Sequence, residues 1–227
     1  MGYQPEPTIE QRKLLDLHLE LVLKENEISN LTRIIDQEQG QLLHIEDSLL
    51  GLPEFLSAPS GRYGDLGTGG GFPGLPLAIM SGRETVLIDS VAKKTHALDR
   101  IIEQLGLAGQ IITYTGRAEE LAHEQPASFS VLTARALSSL PSLLELAVPL
   151  LHQGGQLICY KASLDEDEIE RCGELQEKLG MKLVSKRETV LSDGETHRAL
   201  LVFEKIAEPT VKLPRRPGMA QKRPYKA

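Results

Sequence analysis

The sequence predicts an α/β protein with a doubly wound parallel sheet and an N-terminal helical extension. Two observations support this fold class. After residue 57, apolar segments of strand length alternate with helical stretches, a pattern that implies parallel strands joined by right-handed crossovers. The first strand candidate runs into the glycine-rich stretch DLGTGGGFPG over 65–74, where doubly wound folds bind ligands. We expect a helical extension over 1–57, a ligand-binding domain over 58–206 and a basic, proline-containing tail over 207–227.

The helical extension is indicated by a start signal and by apolar spacing. Thr8 and Gln11 have the spacing of a capping box, which predicts the start of a helix. An apolar stripe at helical period follows, formed by Leu14, Leu15, Leu17, Leu19, Leu21 and Val22. We expect a second helical run over 36–51 and a turn-rich segment after it.

Five strand candidates follow the extension, at 62–66, 86–89, 111–114, 129–134 and 156–161. Ser163 and Glu166 have capping-box spacing and predict a helix that Gly180 ends. The runs MKLVSKRETVL and RALLVFEK predict a final pair of strands, and the tail is expected to be irregular.

The composition is that of an ordinary globular chain, with 41% hydrophobic and 25% charged residues. No apolar run approaches the roughly 18 residues of a membrane span, and the N-terminal residues lack the apolar segment of a signal peptide. Cys159 and Cys172 lack metal-ligand spacing and are expected to be buried thiols. We therefore expect a cytoplasmic monomer with no metal and no membrane contact.

The charge of the chain is unevenly distributed. The net charge is −7, yet residues 209–227 contain six basic and no acidic side chains. The preceding 208 residues contain 19 basic and 32 acidic side chains. An acidic body with a basic tail suggests a polyanionic partner that the tail contacts.

The glycine loop distinguishes between two cofactor classes. A dinucleotide loop reads G-x-G-x-x-G or G-x-G-x-x-A, but the third small position here is Phe72. An S-adenosylmethionine loop has the pattern acid-x-G-x-G-x-G, which Asp65, Gly67, Gly69 and Gly71 match. An acid suits a sulfonium and an ammonium group better than a pyrophosphate. S-adenosylmethionine is therefore favoured over a dinucleotide and over a tight turn without a ligand.

Asp89 ends the second strand candidate, 22 residues after Gly67. A carboxylate at this position can accept hydrogen bonds from both ribose hydroxyls of an adenosyl cofactor. Asp89 is therefore the predicted ribose-binding residue.

The ordered set of motifs in this chain resembles the RsmG family, also called GidB. The matching segments are NEISNLT, HIEDSL, DLGTGGGFPGLPLAI, VLIDSVAKK, GRAEEL, TARAL and, in the tail, LPRRPG. The resemblance implies a Rossmann-like class I methyltransferase sheet and S-adenosylmethionine as cofactor. It also implies methylation of N7 of guanine 527 in 16S ribosomal RNA, either naked or within the small subunit.

Residue roles follow from the loop pattern and from the resemblance. The expected cofactor-binding residues are Asp65, Gly67, Gly69, Phe72, Asp89, Ser90, Ala118, Glu119 and Arg135. Gly67 and Phe72 would line the methionine and adenosine part, Ala118 and Glu119 would flank the adenine, and Arg135 would close the site. The expected RNA-binding residues are Lys161, Arg198, Arg215 and Arg216. The chain departs from the family at Lys161-Ala162, where a glycine often follows the lysine, and after Gly218.

The residues alone leave several of these roles open. Glu119 fits equally a solvated acid in the first turn of a helix. Arg135 and Lys161 each end a strand and fit a structural ion pair as well as a ligand-binding role. His44 fits a core histidine or a pocket residue.

Guanine N7 has an available lone pair, so its methylation requires no general base. The sequence offers no obvious acid-base pair, and we assign no catalytic residue. The alternatives are a methyltransferase for a small molecule or protein, and a non-enzymatic RNA-binding protein with a vestigial cofactor fold. If the tail contacts RNA, removing 209–227 is expected to weaken RNA binding and leave cofactor binding intact.

Overall fold

The computed structural model describes residues 5–225, apart from the Glu174 side chain, and it confirms the predicted doubly wound α/β fold. The strands are β1 (Tyr63–Leu66), β2 (Thr85–Asp89), β3 (Ile111–Thr115), β4 (Phe129–Arg135), β5 (Leu151–Lys161), β6 (Met181–Val190) and β7 (His197–Lys205). The α-helices are α1 (Ile9–Ser29), α2 (Gln37–Gly40), α3 (Asp47–Leu49), α4 (Leu52–Ser57), α5 (Gly74–Ser81), α6 (Ala92–Gln104), α7 (Ala118–Glu124), α8 (Leu140–Ala147), α9 (Glu166–Leu179) and α10 (Met219–Lys222). A π-helix over Gln41–Glu46 joins α2 to α3.

The strands form one sheet in the order β3-β2-β1-β4-β5-β7-β6. Strands β1 to β5 pair in parallel, whereas β7 runs antiparallel to both of its neighbours, β5 and β6. The final two strands pair with each other as the sequence predicts. The insertion of β7 beside β5 is a feature that the strand-helix pattern does not indicate.

The strand order reverses between β1 and β4, which are direct neighbours in the sheet. In an open α/β sheet, the loops that leave such a switch point diverge to opposite faces and open a crevice at the carboxyl ends of the strands. The glycine loop leaves β1 here, and Ala136 follows β4. The candidate site is therefore expected between these two loops.

The N-terminal helices share their core with the sheet. The capping box of α1 is confirmed, because Thr8 and Gln11 exchange hydrogen bonds between their side chains and backbone amides. Leu19 and Val22 of α1 are fully buried in one apolar cluster with Leu75 of α5 and Leu98 of α6. Burial of this stripe holds α1 against the helices that flank the glycine loop.

The second helical run is confirmed, but it is not uniform. The π-helix widens the run in its middle, and the irregularity coincides with the segment that contains His44. Such interruptions are frequent at functional sites. His44 and Asp47 are both buried, although a histidine and an aspartate on a surface helix normally face solvent.

One predicted helix start is wrong. Helix α9 begins at Glu166, and its N-cap is Asp165, whose side chain accepts a hydrogen bond from the Glu168 amide at 3.0 Å. The predicted capping box of Ser163 and Glu166 therefore does not form. The predicted end is confirmed, because Gly180 has a φ of 64° and closes the helix.

The tail is more ordered than the sequence indicates. It contains the short helix α10, and Leu213 and Tyr225 pack against the apolar cluster that contains α8. Lys226, one of the six basic residues of the tail, lies outside the described residues.

Two further predictions concern the body of the chain. Cys159 and Cys172 are buried free thiols, as expected, and burial raises the pKa of both. Within residues 5–225, no helix combines the length and apolar character that crossing a bilayer requires.

Candidate active site

Two cavities meet at Ala136, at the carboxyl ends of the parallel strands. The first, of about 290 Å³, lies over β1, β2 and β3, and Gly67, Asp89 and Glu119 line it. The second, of about 690 Å³, lies over β4 and β5, and Arg135 and Lys161 line it. We call them the β1–β3 cavity and the β4–β5 cavity.

The glycine loop forms one edge of the β1–β3 cavity. Gly67, Gly69 and Gly71 have φ values of 68°, 59° and 89°, a region that glycine adopts readily and other residues avoid. A Cβ atom on Gly67 would lie 2.6 Å from Leu137 Cδ1. A Cβ atom on Gly69 would have no protein atom closer than 3.9 Å, so this backbone borders open space that a ligand can occupy.

Asp65 lies beneath the loop and does not line either cavity. Its side chain is fully buried, with Oδ2 accepting a hydrogen bond from the Gly74 amide at 3.0 Å and Oδ1 accepting one from Thr133 Oγ1 at 2.6 Å. Burial raises the pKa of Asp65 to about 6. This placement corrects the expectation that the carboxylate lies beside the charged groups of the cofactor. Instead, Asp65 ties the start of α5 to β4.

Phe72 lies behind the loop, although the resemblance implies a place in the cofactor pocket. Its ring is buried between the rings of His18 and His44, with centroid distances of 4.4 Å and 4.3 Å. Burial lowers the pKa of His18 to about 3 and that of His44 to about 4, so both rings are neutral near pH 7. The stacked rings pack behind the glycine loop, and the Phe72 ring does not line the β1–β3 cavity.

Asp89 lines the β1–β3 cavity at the end of β2, together with Ser90. Its Oδ2 accepts a hydrogen bond from the Gly69 amide at 3.1 Å, and its Oδ1 accepts one from the Val91 amide at 2.9 Å. A carboxylate offers about four acceptor positions, so about two remain for ribose hydroxyls. The two amides fix the orientation of the carboxylate in advance.

Ala118 and Glu119 line the same cavity at the start of α7. Glu119 is only 4% exposed, which excludes the reading of a solvated helix acid. Its Oε1 accepts a hydrogen bond from the Gly218 amide of the tail at 2.8 Å. No motif in the sequence indicates that the tail reaches this carboxylate.

Arg135 lines the β4–β5 cavity and not the β1–β3 cavity, and its expected role in closing the cofactor site stays a prediction. Its Nη1 donates to Asp47 Oδ2 at 2.9 Å and to the Leu43 carbonyl at 3.1 Å. Arg198 Nε donates to the other oxygen of Asp47, also at 2.9 Å. Asp47 thus pairs with two arginines. The sequence motif HIEDSL contains Asp47, but the motif alone did not predict this role.

Lys161 also lines the β4–β5 cavity and pairs with Glu168 at 2.8 Å. The second oxygen of Glu168 accepts a hydrogen bond from the Leu140 amide at 2.8 Å. Asp165, the third acid of this cavity, caps α9. Each carboxylate that lines the β4–β5 cavity is therefore already engaged by a cation or a backbone amide.

Arg215 does not extend towards solvent as an RNA contact would. Its guanidinium forms a two-point pair with Glu145, including Nη2–Oε2 at 2.6 Å, and lies 4.2 Å from the centre of the Tyr225 ring. Glu145 is 2% exposed and was also missed. Its signal was present, because a single acid in the apolar helix LPSLLELA requires a partner. Arg216, by contrast, is exposed.

The β1–β3 cavity fits S-adenosylmethionine. Beside the Gly67 backbone, a fixed carboxylate at the end of β2 and a buried acid at the start of α7 provide acceptors for a ligand that is rich in donors and positively charged. Ser90 and Ala118 complete the expected contacts. Among the described residues, no group of three or more histidine, cysteine, aspartate or glutamate side chains is arranged to hold a metal ion.

Several solved structures share this fold. An O-methyltransferase from Bacillus cereus in complex with SAH has a TM-score of 0.57 and 22% identity, covering 83% of this chain and 90% of that chain. A cofactor-bound protein from MTB has a TM-score of 0.59 and 20% identity, covering 90% of this chain and all of that chain. At these identities the likeness shows a common Rossmann-like fold.

Sequence relatives are more specific. The ribosomal RNA small subunit methyltransferase G of Alkaliphilus metalliredigens is 34% identical over 210 residues, covering 91% of this chain and 87% of the relative. The protein of the same name from Streptococcus suis is 34% identical over 221 residues, covering 96% and 92%. A family model described as rRNA small subunit methyltransferase G matches residues 11–197. The chain therefore belongs to the rRNA small subunit methyltransferase G family, as the motifs predict, and S-adenosylmethionine is its cofactor.

Proposed function

We propose that this protein methylates N7 of one guanine in 16S ribosomal RNA. The observation that carries the proposal is the junction of the two cavities at Ala136. A cofactor held over β1 to β3 and a base held over β4 and β5 would meet at this junction. Membership of the family and its printed description support a ribosomal RNA substrate, which would place the protein in the cytoplasm with the ribosomes.

The cofactor, when bound, supplies a methyl group that is activated by attachment to a positively charged sulfur. On this chain, Asp89 would accept hydrogen bonds from the ribose, and Ala118 and Glu119 would flank the adenine. Gly67 would allow the chain to approach the ligand closely. Methyl transfer then depends mainly on the alignment of the attacking atom with the methyl group and sulfur.

The chemistry of the β4–β5 cavity supports an attacking atom that needs no deprotonation. The carboxylates lining it are engaged, and the low pKa of His44 makes its ring a weak base. The Tyr160 hydroxyl donates to the Ser48 carbonyl at 2.8 Å, and burial raises its pKa well above the usual range. Guanine N7 meets this requirement because its lone pair is free in the neutral base.

Lys161 and Arg198 lie where the nucleotides that flank the target base would pass. Both are partly exposed and paired with carboxylates, so they are held in place before RNA binds. A phosphate would offer them an alternative partner. Arg216 is an additional RNA contact in this proposal.

The test is methylation of 16S ribosomal RNA and of small subunits, both taken from cells that lack the family enzyme, with labelled S-adenosylmethionine. We expect 7-methylguanosine at one position, guanine 527, detected by borohydride and aniline cleavage. Asp89→Ala, which should bind the cofactor more weakly, provides a control with reduced activity. Methyl transfer to another atom or another position would contradict the proposal.

Two outcomes would favour the alternative functions. Cofactor binding without any RNA product would favour a small-molecule or protein substrate, and RNA binding without cofactor binding would favour the non-enzymatic alternative.

A further inference from the structure

The tail returns to the body of the protein through a buried ion pair. Glu145 lies on α8, a helix whose residues are all buried. Arg215 pairs with its carboxylate, and the Tyr225 amide donates to Glu145 Oε2 at 3.1 Å. On the same side, Ser142 Oγ donates to the Ala220 carbonyl at 2.8 Å. Both ends of the segment 215–225 are thereby attached to α8.

Docking of the tail is energetically coupled to the burial of Glu145. A buried carboxylate without a cation or hydrogen bonds is strongly unfavourable. In the docked arrangement, the guanidinium and the Tyr225 amide satisfy both oxygens of Glu145. An undocked tail would leave the charge of Glu145 uncompensated in an apolar helix. The structure therefore favours the docked state for a reason independent of RNA.

Between these attachment points, the tail reaches the β1–β3 cavity. The Gly218 amide donates to Glu119 Oε1, and Arg117 Nη1 donates to Gln221 Oε1 at 3.0 Å. Gln221 lines the cavity. Among the described residues, the amide nitrogen of Gln221 has no hydrogen-bond partner, so its two N–H donors remain available to a ligand.

The position of Gln221 indicates which part of the cofactor it meets. The ribose acid Asp89 ends β2, and the loop that starts α7 follows β3, the next strand outward. With the ribose at Asp89, a nucleobase within the β1–β3 cavity would extend towards Ala118 and Glu119, which line the same cavity at the start of α7. Gln221 is bonded to Arg117, directly before α7, which places it at the nucleobase end.

We propose that the C-terminal segment 215–225 forms one wall of the cofactor pocket, with Gln221 as a binding residue for the adenine end and the Glu145–Arg215 pair holding it there. This inference depends on S-adenosylmethionine as the cofactor but not on the proposed RNA target. It reverses the sequence-based expectation that removal of 209–227 leaves cofactor binding intact. The tail also lies beyond the residues that the family model matches.

The first experiment is calorimetry of S-adenosylhomocysteine binding to Gln221→Ala. Loss of a hydrogen bond to the nucleobase should weaken binding about three- to tenfold. The control is Lys212→Ala, a change at an exposed residue of the tail that lies outside 215–225 and does not line the cavity, and its affinity should equal that of the wild type. 5′-Methylthioadenosine, which lacks the amino acid part, should show the same loss. Wild-type affinity in Gln221→Ala would overturn the role of Gln221.

The second experiment measures hydrogen exchange in the tail with and without S-adenosylhomocysteine. Because coupling between two sites is reciprocal, a tail that improves cofactor binding must itself be stabilised by the cofactor. Exchange in 215–225 should slow when the ligand is added, and Arg215→Ala should both accelerate exchange in the ligand-free protein and weaken ligand binding. Protection of the glycine loop without any change in 215–225 would overturn the proposal. Neither readout involves RNA, so failure to methylate RNA would not affect it.

Discussion

The carboxylates of the two cavities differ in their partners. In the β1–β3 cavity, Asp89 and Glu119 accept hydrogen bonds from backbone amides, and among the described residues their one ion pair is that of Asp89 with Lys94 Nζ at 4.0 Å. In the β4–β5 cavity, Asp47 and Glu168 are paired with arginines and a lysine at 2.8–2.9 Å.

This difference corresponds to the ligands that we assign to the two cavities. S-adenosylmethionine contains a sulfonium and an ammonium group, so uncompensated carboxylates on its side favour its binding. A guanine base is neutral and is accommodated best where charges are already balanced. In the proposed function, carboxylates on one side of the switch point attract the charged cofactor, and the balanced charges on the other side position the base.

Removing the carboxylate that pairs with two arginines in the β4–β5 cavity should have the largest effect on stability. Asp47→Ala leaves Arg135 and Arg198 without their shared partner, and we expect the free energy of unfolding to fall by about 3 kcal/mol or more. Urea denaturation measures this change. Glu166→Ala, which breaks an exposed pair with Lys186, is the control and should cost under about 1 kcal/mol. Equal losses in the two variants would show that the Asp47 pairs contribute no more than surface ones.

The complete burial of Asp65 predicts a dependence of stability on pH. Its pKa is raised by burial from 3.8 to about 6, so the native state binds the proton more tightly than the unfolded state does. Its contribution therefore destabilises the protein as pH rises from about 4 to 6. Asp65→Asn cannot titrate and should gain up to about 3 kcal/mol relative to the wild type between these pH values.

This prediction concerns only the pH dependence of the difference between the two proteins, because the substitution also alters two hydrogen bonds at every pH. Urea denaturation at a series of pH values measures it. A difference in stability that is constant from pH 4 to 7 would contradict a raised pKa for Asp65.

Removing a carboxylate from the cofactor side should affect affinity more than stability. We expect Asp89→Ala to weaken S-adenosylmethionine binding by about 1.5–3 kcal/mol, because hydrogen bonds to a charged acceptor are lost. NAD should show no comparable binding to the wild type. Calorimetry with both ligands measures the effect. An unchanged affinity in the variant would remove Asp89 from the ribose role.

The smallest expected effect distinguishes two adjacent arginines of the tail. Arg216 is exposed and has no ion pair among residues 5–225, so it can contact phosphate, whereas Arg215 is occupied by Glu145. Arg216→Ala should reduce the slope of log RNA affinity against log salt by about 0.7–0.9, the value for one phosphate contact. S-adenosylhomocysteine affinity should not change. An unaltered salt slope would show that Arg216 does not contact the phosphates.

The sequence was most informative about features that depend on local spacing or on the backbone conformation of a single residue. The glycines of the loop and Asp89 at the end of β2 follow from motif spacing, whereas Ala118 and Glu119 follow from the family resemblance. The structure brings Gly67, Asp89 and Glu119 to one cavity. The strand-helix alternation likewise predicted the sheet, since it depends on local periodicity.

The sequence was uninformative where partners are distant along the chain. Asp47 lies 88 positions from Arg135 and 151 from Arg198, and Glu145 lies 70 from Arg215. Motif spacing contains no information on such pairs, so the sequence left Arg135 open between an ion pair and a ligand-binding role, and Arg215 was expected to bind RNA. The basic tail suggested RNA for the same reason. Its number of charges does not reveal that one of them, Arg215, is paired with Glu145 of α8.

The π-helix over Gln41–Glu46 has a consequence for how the chain tolerates insertions and deletions. Each residue of an α-helix advances the following side chains by about 100° around the axis. Deleting one residue within 41–46 would relax the wide turn but rotate everything on one side of it by this amount.

Such a rotation would separate contacts that now coexist on the two sides of the turn. Gln41 Nε2 donates to Asp16 Oδ1 at 2.9 Å, and Asp47 holds both arginines of the β4–β5 cavity. Both sets of contacts can be kept only with the present number of residues between them. The segment is therefore expected to accept substitutions at its solvent-facing positions while rejecting any change in its length.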